Sequence, residues 1–299
     1  MKKSLLKILT FLVVVVGSLS IYLAVSNIKV YAEAHNKDHD EINQEWTSND
    51  SLPSSVGSYY LANDVTLSST WYPVTGVKLC LNGHSITKTG EGSVIEIHGI
   101  ANAAGNYNVT IYDCSEVEHK YKINDEGLGI VDDSLTENYE TFKGWYITGG
   151  NSLDNGGCIK MYHTDGELAG ATSTLSLNGV TLIGNKAAKN GGAIYYVYSS
   201  RKNNITYLND VTIVGNVAGD TGGSIYREAN NKYLALNNVN ISKNTSVNPI
   251  GLPATLWATE TTNVEATTKI TETFTNTKAL NIWLSAILLL NNLVFLPTA

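Results

Sequence analysis

Arginine is almost missing from this chain: its 299 residues carry two, Arg201 and Arg227. Charged residues of all kinds reach only 16%, and acids outnumber bases by 27 to 20. That balance argues against nucleic acid and anionic lipid surfaces as partners, because both are held by excess positive charge. Histidine is sparse and scattered, at His35, His39, His84, His98, His119 and His163, with no Ser, Cys or metal-ligand spacing around any of them. A histidine-activated nucleophile and a clustered metal centre therefore find no support. His84 falls in the turn Leu81-Asn82-Gly83-His84-Ser85, where a polar residue is ordinary. Cysteine is limited to Cys80, Cys114 and Cys158, an odd number that leaves at least one thiol unpaired.

What the chain has instead is a repeat. Residues 174–196, TLSLNGVTLIGNKAAKNGGAIYY, return at 205–226 as ITYLNDVTIVGNVAGDTGGSIY, and in part at 233–247 as YLALNNVNISKNTSV. Leu177/Leu208, Asn178/Asn209, Val180/Val211, Leu182/Ile213 and Asn185/Asn216 recur at an offset of 31, and Leu236, Asn237, Val239, Ile241 and Asn244 follow at 28. Apolar and small polar residues alternate with the period of two that belongs to strands, and Gly or Asn punctuates them. Helical spacing is missing. Short strands cannot bury a face alone, so strands spaced by about 30 residues must stack on their own copies. The sequence therefore predicts an all-β parallel solenoid with coils of about 26–35 residues, aliphatic columns inside and hydrogen-bonded asparagines at the corners. The corner series is read as Asn151, Asn185, Asn216, Asn244 and Asn276.

The Gly-Gly-Ala-Ile and Asn pattern resembles right-handed parallel β-helix repeats of adhesin-like surface proteins from Gram-positive gut bacteria and of polymorphic outer-membrane proteins. The resemblance covers roughly 56–299. It implies a bacterial protein with a pectin lyase-like fold, and it specifies fold better than function.

The N-terminus supplies Lys2, Lys3 and Lys7, a long apolar run to about Val25, and Val30-Tyr31-Ala32 as a cleavage pattern. Residues 1–32 are accordingly read as a secretory signal peptide, the competing reading being an uncleaved membrane anchor, the one route to a membrane. Either exports the rest to the cell surface or medium. Cleavage takes the net charge from −7 (20 minus 27) to −11 (16 minus 27). Residues 33–55 are read as a polar linker or N-terminal cap around Trp46, and 56–299 as the β-helix domain. The apolar stretch 279–299 is taken as one more coil that stops short, so that the reading frame looks truncated at its C-terminus.

Cys80 and Cys114 lie 34 residues apart, about one coil, a placement suited to a disulfide. The alternative is two reduced thiols, since Cys80 stands between Leu79 and Leu81 and should face away from the interior they fill. Cys158 takes the small-residue position of Ala193 and Ser224.

The largest interruption of the pattern, 115–144, carries eight acids, Glu116, Glu118, Asp125, Glu126, Asp132, Asp133, Glu137 and Glu140, against three lysines. No cofactor is required by the sequence. Ca²⁺ could be gathered by these carboxylates, but no EF-hand order is present, and a solvated loop is the favoured reading.

Many β-helices act on polysaccharides, so an enzyme is the alternative function, a polysaccharide lyase or glycoside hydrolase. The acids on the coils are Asp154, Asp165, Glu167, Asp210, Asp220 and Glu228, with only Asp210 and Asp220 in recurrent positions, and those are turn slots. Arg227 beside Glu228, one coil from Arg201, is the one faint lyase-type base. No catalytic residue and no metal ligand is assigned. The positions singled out for ligand binding are the outward aromatics Tyr195, Tyr226, Trp257 and Trp283, in a column that starts at Lys160. Such a column can take a sugar ring or a protein, or simply stabilise its sheet by stacking. The sequence thus predicts an exported, adhesin-like β-helix that binds a polysaccharide or a host or cell-surface protein and catalyses nothing.

Overall fold

The computed structural model describes residues 44–99, 107–163, 172–197, 203–228, 234–246, 256–258, 262–264, 269–270 and 274–276. All belong to the unit that begins at Gln44. The signal-peptide segment, Arg201 and Trp283 lie outside the described residues.

Each copy of the repeat makes one coil of four short strands. The first copy gives Thr172–Asn178, Thr181–Ile183, Lys186–Ala187 and Ile194–Val197. The second gives Asn203–Asn209, Thr212–Val214, Val217–Ala218 and Ile225–Glu228. Equivalent strands pair in parallel from coil to coil and build four faces, of eight, seven, four and six strands. The chain is a parallel β-helix.

The alternation in the sequence becomes inside and outside. Leu79, Ile111, Leu177, Leu208 and Leu236 pair in register as one buried column. Ile86, Ile147, Leu182, Ile213 and Ile241 form a second, and Ile95, Ile159, Ile194 and Ile225 a third. Each such side chain contributes about 1.5–3 kcal/mol of burial. Cys158 sits among them in the slot of Ala193 and Ser224, fully buried. At the foot of the stack, Gln44–Trp46 pairs in parallel with Tyr59–Leu61, and Leu52 joins the core.

The corner ladder runs through Asn185, Asn216 and Asn244. Asn185 Nδ2 donates to Asn216 Oδ1 at 3.0 Å, and Asn216 Nδ2 to Asn244 Oδ1 at 2.8 Å. The same oxygens accept the backbone N–H of the residue below. Asn151 is not in the ladder. Pairing sets Asn151 opposite Lys186, which leaves Gly150 opposite Asn185, donating its N–H to Asn185 Oδ1 at 3.0 Å. A Cβ on residue 150 would collide with the Gly157 backbone, so the column ends in glycine and Asn151 faces outward. Asn276 is also elsewhere: it pairs with Ala258 on the six-stranded face. In the first coils the register puts Leu79 in the Leu177 column, and Leu81, two residues on, is also inside.

Residues 115–144 are not a solvated loop. They contain Glu118–Ile123, Gly129–Val131 and Glu140–Lys143, a three-stranded antiparallel sheet with Glu118–Ile123 in the middle. This sheet lies on the outside of the seven-stranded face, where Tyr121 and Phe142 cover Ile183 and Val214. On the coil strand beneath it Leu182 faces in and Ile183 out, yet both are fully buried.

Candidate functional site

Register places Glu96, Lys160, Tyr195, Tyr226, Trp257 and Thr275 at equivalent positions along the six-stranded face. Thr275 therefore stands against Trp257 in the place expected of Trp283, because the next coil is shorter than the sequence pattern indicated. The Tyr195 and Tyr226 rings stack with centroids 5.4 Å apart and an inclination of 14°. At that spacing each ring covers a face of the other, and Tyr195 is left only 8% exposed. The pair stabilises the sheet by up to about 1 kcal/mol and presents ring edges outward. Below it, Lys160 Nζ lies 3.3 Å from Asp154 Oδ2 and 5.2 Å from the Tyr162 ring. The hydrogen bond from Lys189, with help from Lys160, holds the Asp154 carboxyl below the usual range against a burial effect of opposite sign. A carboxylate so engaged is poorly placed as a proton carrier.

Arg227, the candidate lyase-type base, is only 2% exposed. It stacks in register on Tyr196, a core residue, and its guanidinium lies 5.9 Å from that ring. An inward side chain cannot reach a polysaccharide outside the coil. Asp210 has φ of 53° and occupies the slot of Gly179 at 67° and Asn238 at 51°, so its recurrence reflects a left-handed turn. His84 Nδ1 lies 3.6 Å from Asp64 Oδ1 in the turn where the sequence placed it.

The docked insertion supplies what the sequence did not show. His119, 2% exposed, packs against Phe142, Trp145 and Tyr146, and its Nδ1 is 2.9 Å from Asp133 Oδ2. Two of the acids answer coil lysines: Glu126 pairs with Lys186 at 3.0 Å, and Glu140 with Lys243. Tyr121 Oη donates to Glu140 Oε2 at 2.9 Å. Between the insertion and the coil runs a groove of about 340 Å³, lined by Tyr121, Lys122, Ile123, Asn138, Tyr139, Glu140 and Lys243. Tyr139 is 38% exposed, with Lys120 Nζ 4.6 Å from its ring centre. Aromatic surface, an amide, a carboxylate and lysines thus converge on one concave site. No spacing could have revealed it, because Lys243 and Glu140 are 103 residues apart. Among the described residues no group of three or more His, Cys, Asp or Glu is placed to hold a metal ion.

Both ends of the insertion are held by Asp113. Its Oδ2 accepts the N–H of Ser115 at 3.2 Å and of Trp145 at 2.9 Å, and its Oδ1 accepts that of Gly83 at 3.2 Å. Burial nevertheless raises its pKa, outweighing these donors. Asp113→Ala is expected to cost about 2 kcal/mol and to speed amide exchange across 118–143. Unchanged exchange there would show that the carboxylate does not tether the insertion.

Four parallel faces, stacked copies and an internal asparagine ladder make this a β-helix repeat protein. In keeping with that class, residues 179–196 match the Chlamydia polymorphic membrane protein repeat. The match runs from the Gly179 turn through three strands of one coil to Tyr196. No curated protein and no solved structure gives a significant match to the chain.

Proposed function

We propose that this protein is an exported, surface-displayed β-helix, adhesin-like in its action, that binds a glycan or a protein ligand on the outside of its coils and performs no chemistry on it. The observation that carries the reading is the groove between the docked insertion and the coil, where Tyr139, Asn138, Lys122 and Glu140 converge. Aromatic faces beside paired hydrogen-bonding groups suit sugar rings and polar protein surfaces alike. The match to a repeat of membrane proteins supports a surface location. The interior placement of Arg227 weighs against a lyase built on that residue. The Tyr195–Trp257 column is the second contact surface, and the kinship with Gram-positive gut adhesins belongs to this same proposal.

The test is a glycan array and a host-cell adhesion assay with the chain starting at Glu33. Tyr139→Ala combined with Lys122→Ala is expected to weaken binding at least about tenfold, in line with losing an aromatic anchor and a polar partner. If Tyr195→Ala with Tyr226→Ala has that effect instead, the column is the site. Release of new reducing ends or unsaturated products from polysaccharides would overturn the non-enzymatic reading.

A further inference from the structure

Cys80 and Cys114 stand apart from the third cysteine in both position and surroundings. Cys80 follows Leu79 on the eight-stranded face and pairs in register with Tyr60 on one side and Tyr112 on the other. It is fully buried yet outside the core cluster, as befits an outward side chain flanked by two tyrosines. Cys114 lies two residues beyond Tyr112, at the point where the chain leaves the coil for the insertion, and is partly exposed. The two Sγ atoms are 3.5 Å apart. Cys158 sits alone in the interior, in a column with Ala193 and Ser224.

We propose that Cys80 and Cys114 are a disulfide-forming pair, and that the bond staples the root of the 115–144 insertion to the preceding coil. All three cysteines are thiols in the structure. The two sulfurs are already in contact at 3.5 Å, and a disulfide closes them to about 2.05 Å. The oxidant is a small disulfide such as oxidised glutathione. The Cys114 thiol, the more accessible of the two, loses its proton and attacks one sulfur of that disulfide, expelling a thiolate. Cys80 then loses its proton and attacks Cys114 Sγ, expelling the second thiolate. Two S–H bonds are lost, one protein S–S bond forms, and the oxidant's S–S bond ends as two thiols. In the dithiol, the hydrogen bond with Cys114, and after it burial, push Cys80 deprotonation above the ordinary thiol range, which leaves the first attack to Cys114.

The bond would act where Asp113 already acts. Asp113 bonds to Ser115 and Trp145, the two ends of the insertion, and Cys114 lies between Asp113 and Ser115. Closing the loop from 80 to 114 restricts any opening that carries the root away from the coil. The inference does not rest on the proposed ligand binding, and it concerns covalent state alone.

The test equilibrates the chain from Glu33 with oxidised glutathione, with dithiothreitol as the reduced reference, and counts thiols after denaturation. The expected result is one free thiol, a mass lower by two hydrogens, and a protease fragment joining the Cys80 and Cys114 peptides. Cleavage within 124–138 is expected to be at least about tenfold slower in the oxidised form. Three free thiols, or a bond that includes Cys158, would overturn the pairing. Equal cleavage rates in the two forms would overturn the staple. Because reduction of the unaltered chain provides the comparison, no variant has to fold.

Discussion

Asn216→Leu is expected to destabilise the coil stack by about 4 kcal/mol or more. Asn216 is fully buried and serves both neighbours at once. Its Oδ1 accepts from the Asn185 backbone and side chain, each at 3.0 Å. The two hydrogens of its Nδ2 are shared among Leu182 O at 2.9 Å, Val214 O at 3.1 Å and Asn244 Oδ1 at 2.8 Å. Leucine is of similar size but replaces none of these bonds. At about 1–3 kcal/mol for each buried polar group left without a partner, the loss exceeds what the added apolar surface returns. Urea unfolding should show the shift, and amide exchange should quicken first at Asn185 and Thr181–Ile183, since nearest neighbours carry the coupling in a stacked repeat. A loss below about 1 kcal/mol would mean that water replaces the ladder at little cost, and that the corner asparagines are not the pins of the stack.

The second large effect belongs to Gly129→Val. Gly129 is where the insertion touches the coils: its N–H donates to Gly215 O at 2.8 Å, and a Cβ added to it would meet Ile183 Cγ1 at 2.5 Å. The coil side is equally bare, because Gly215 has φ of 58° and a Cβ there would meet Gly129 N at 2.6 Å. Two backbones in contact leave no room for a side chain on either. Valine is expected to lift the insertion from the seven-stranded face and expose Tyr121, Phe142, Ile183 and Val214, at about 1.5–3 kcal/mol for each large side chain returned to water. The coils should persist, since their pairing does not pass through residue 129. Rapid proteolysis confined to 115–144, together with loss of the groove lined by Tyr139 and Lys243, is the expected result. An insertion that stays protected would show that the seat tolerates side chains and that the glycine contact is incidental.

These two substitutions separate what could be read along the chain from what could not. The offsets of 31 and 28 gave the aliphatic columns, and Asn185, Asn216 and Asn244 were recognisable because a repeat makes each residue a neighbour of its own equivalent. Asn151 and Asn276 were misplaced by the same logic: composition marks a corner asparagine, but pairing register decides which residue fills the corner. The insertion shows the limit most clearly. Its eight acids read as a charge run in water, whereas Glu126 and Glu140 reach lysines 60 and 103 residues away. The cover that Tyr121 and Phe142 place over Ile183 and Val214 was not read from the chain either, because it joins segments far apart in sequence.

The sequence by itself determined that the chain winds into stacked parallel coils, because a short-period pattern repeated at a fixed offset can bury its apolar face only against its own copies. Only the tertiary structure decided where the interruption goes. Its strands pair with one another and settle on the coils through contacts scattered over a hundred residues, and such contacts obey shape and backbone clearance rather than any spacing along the chain.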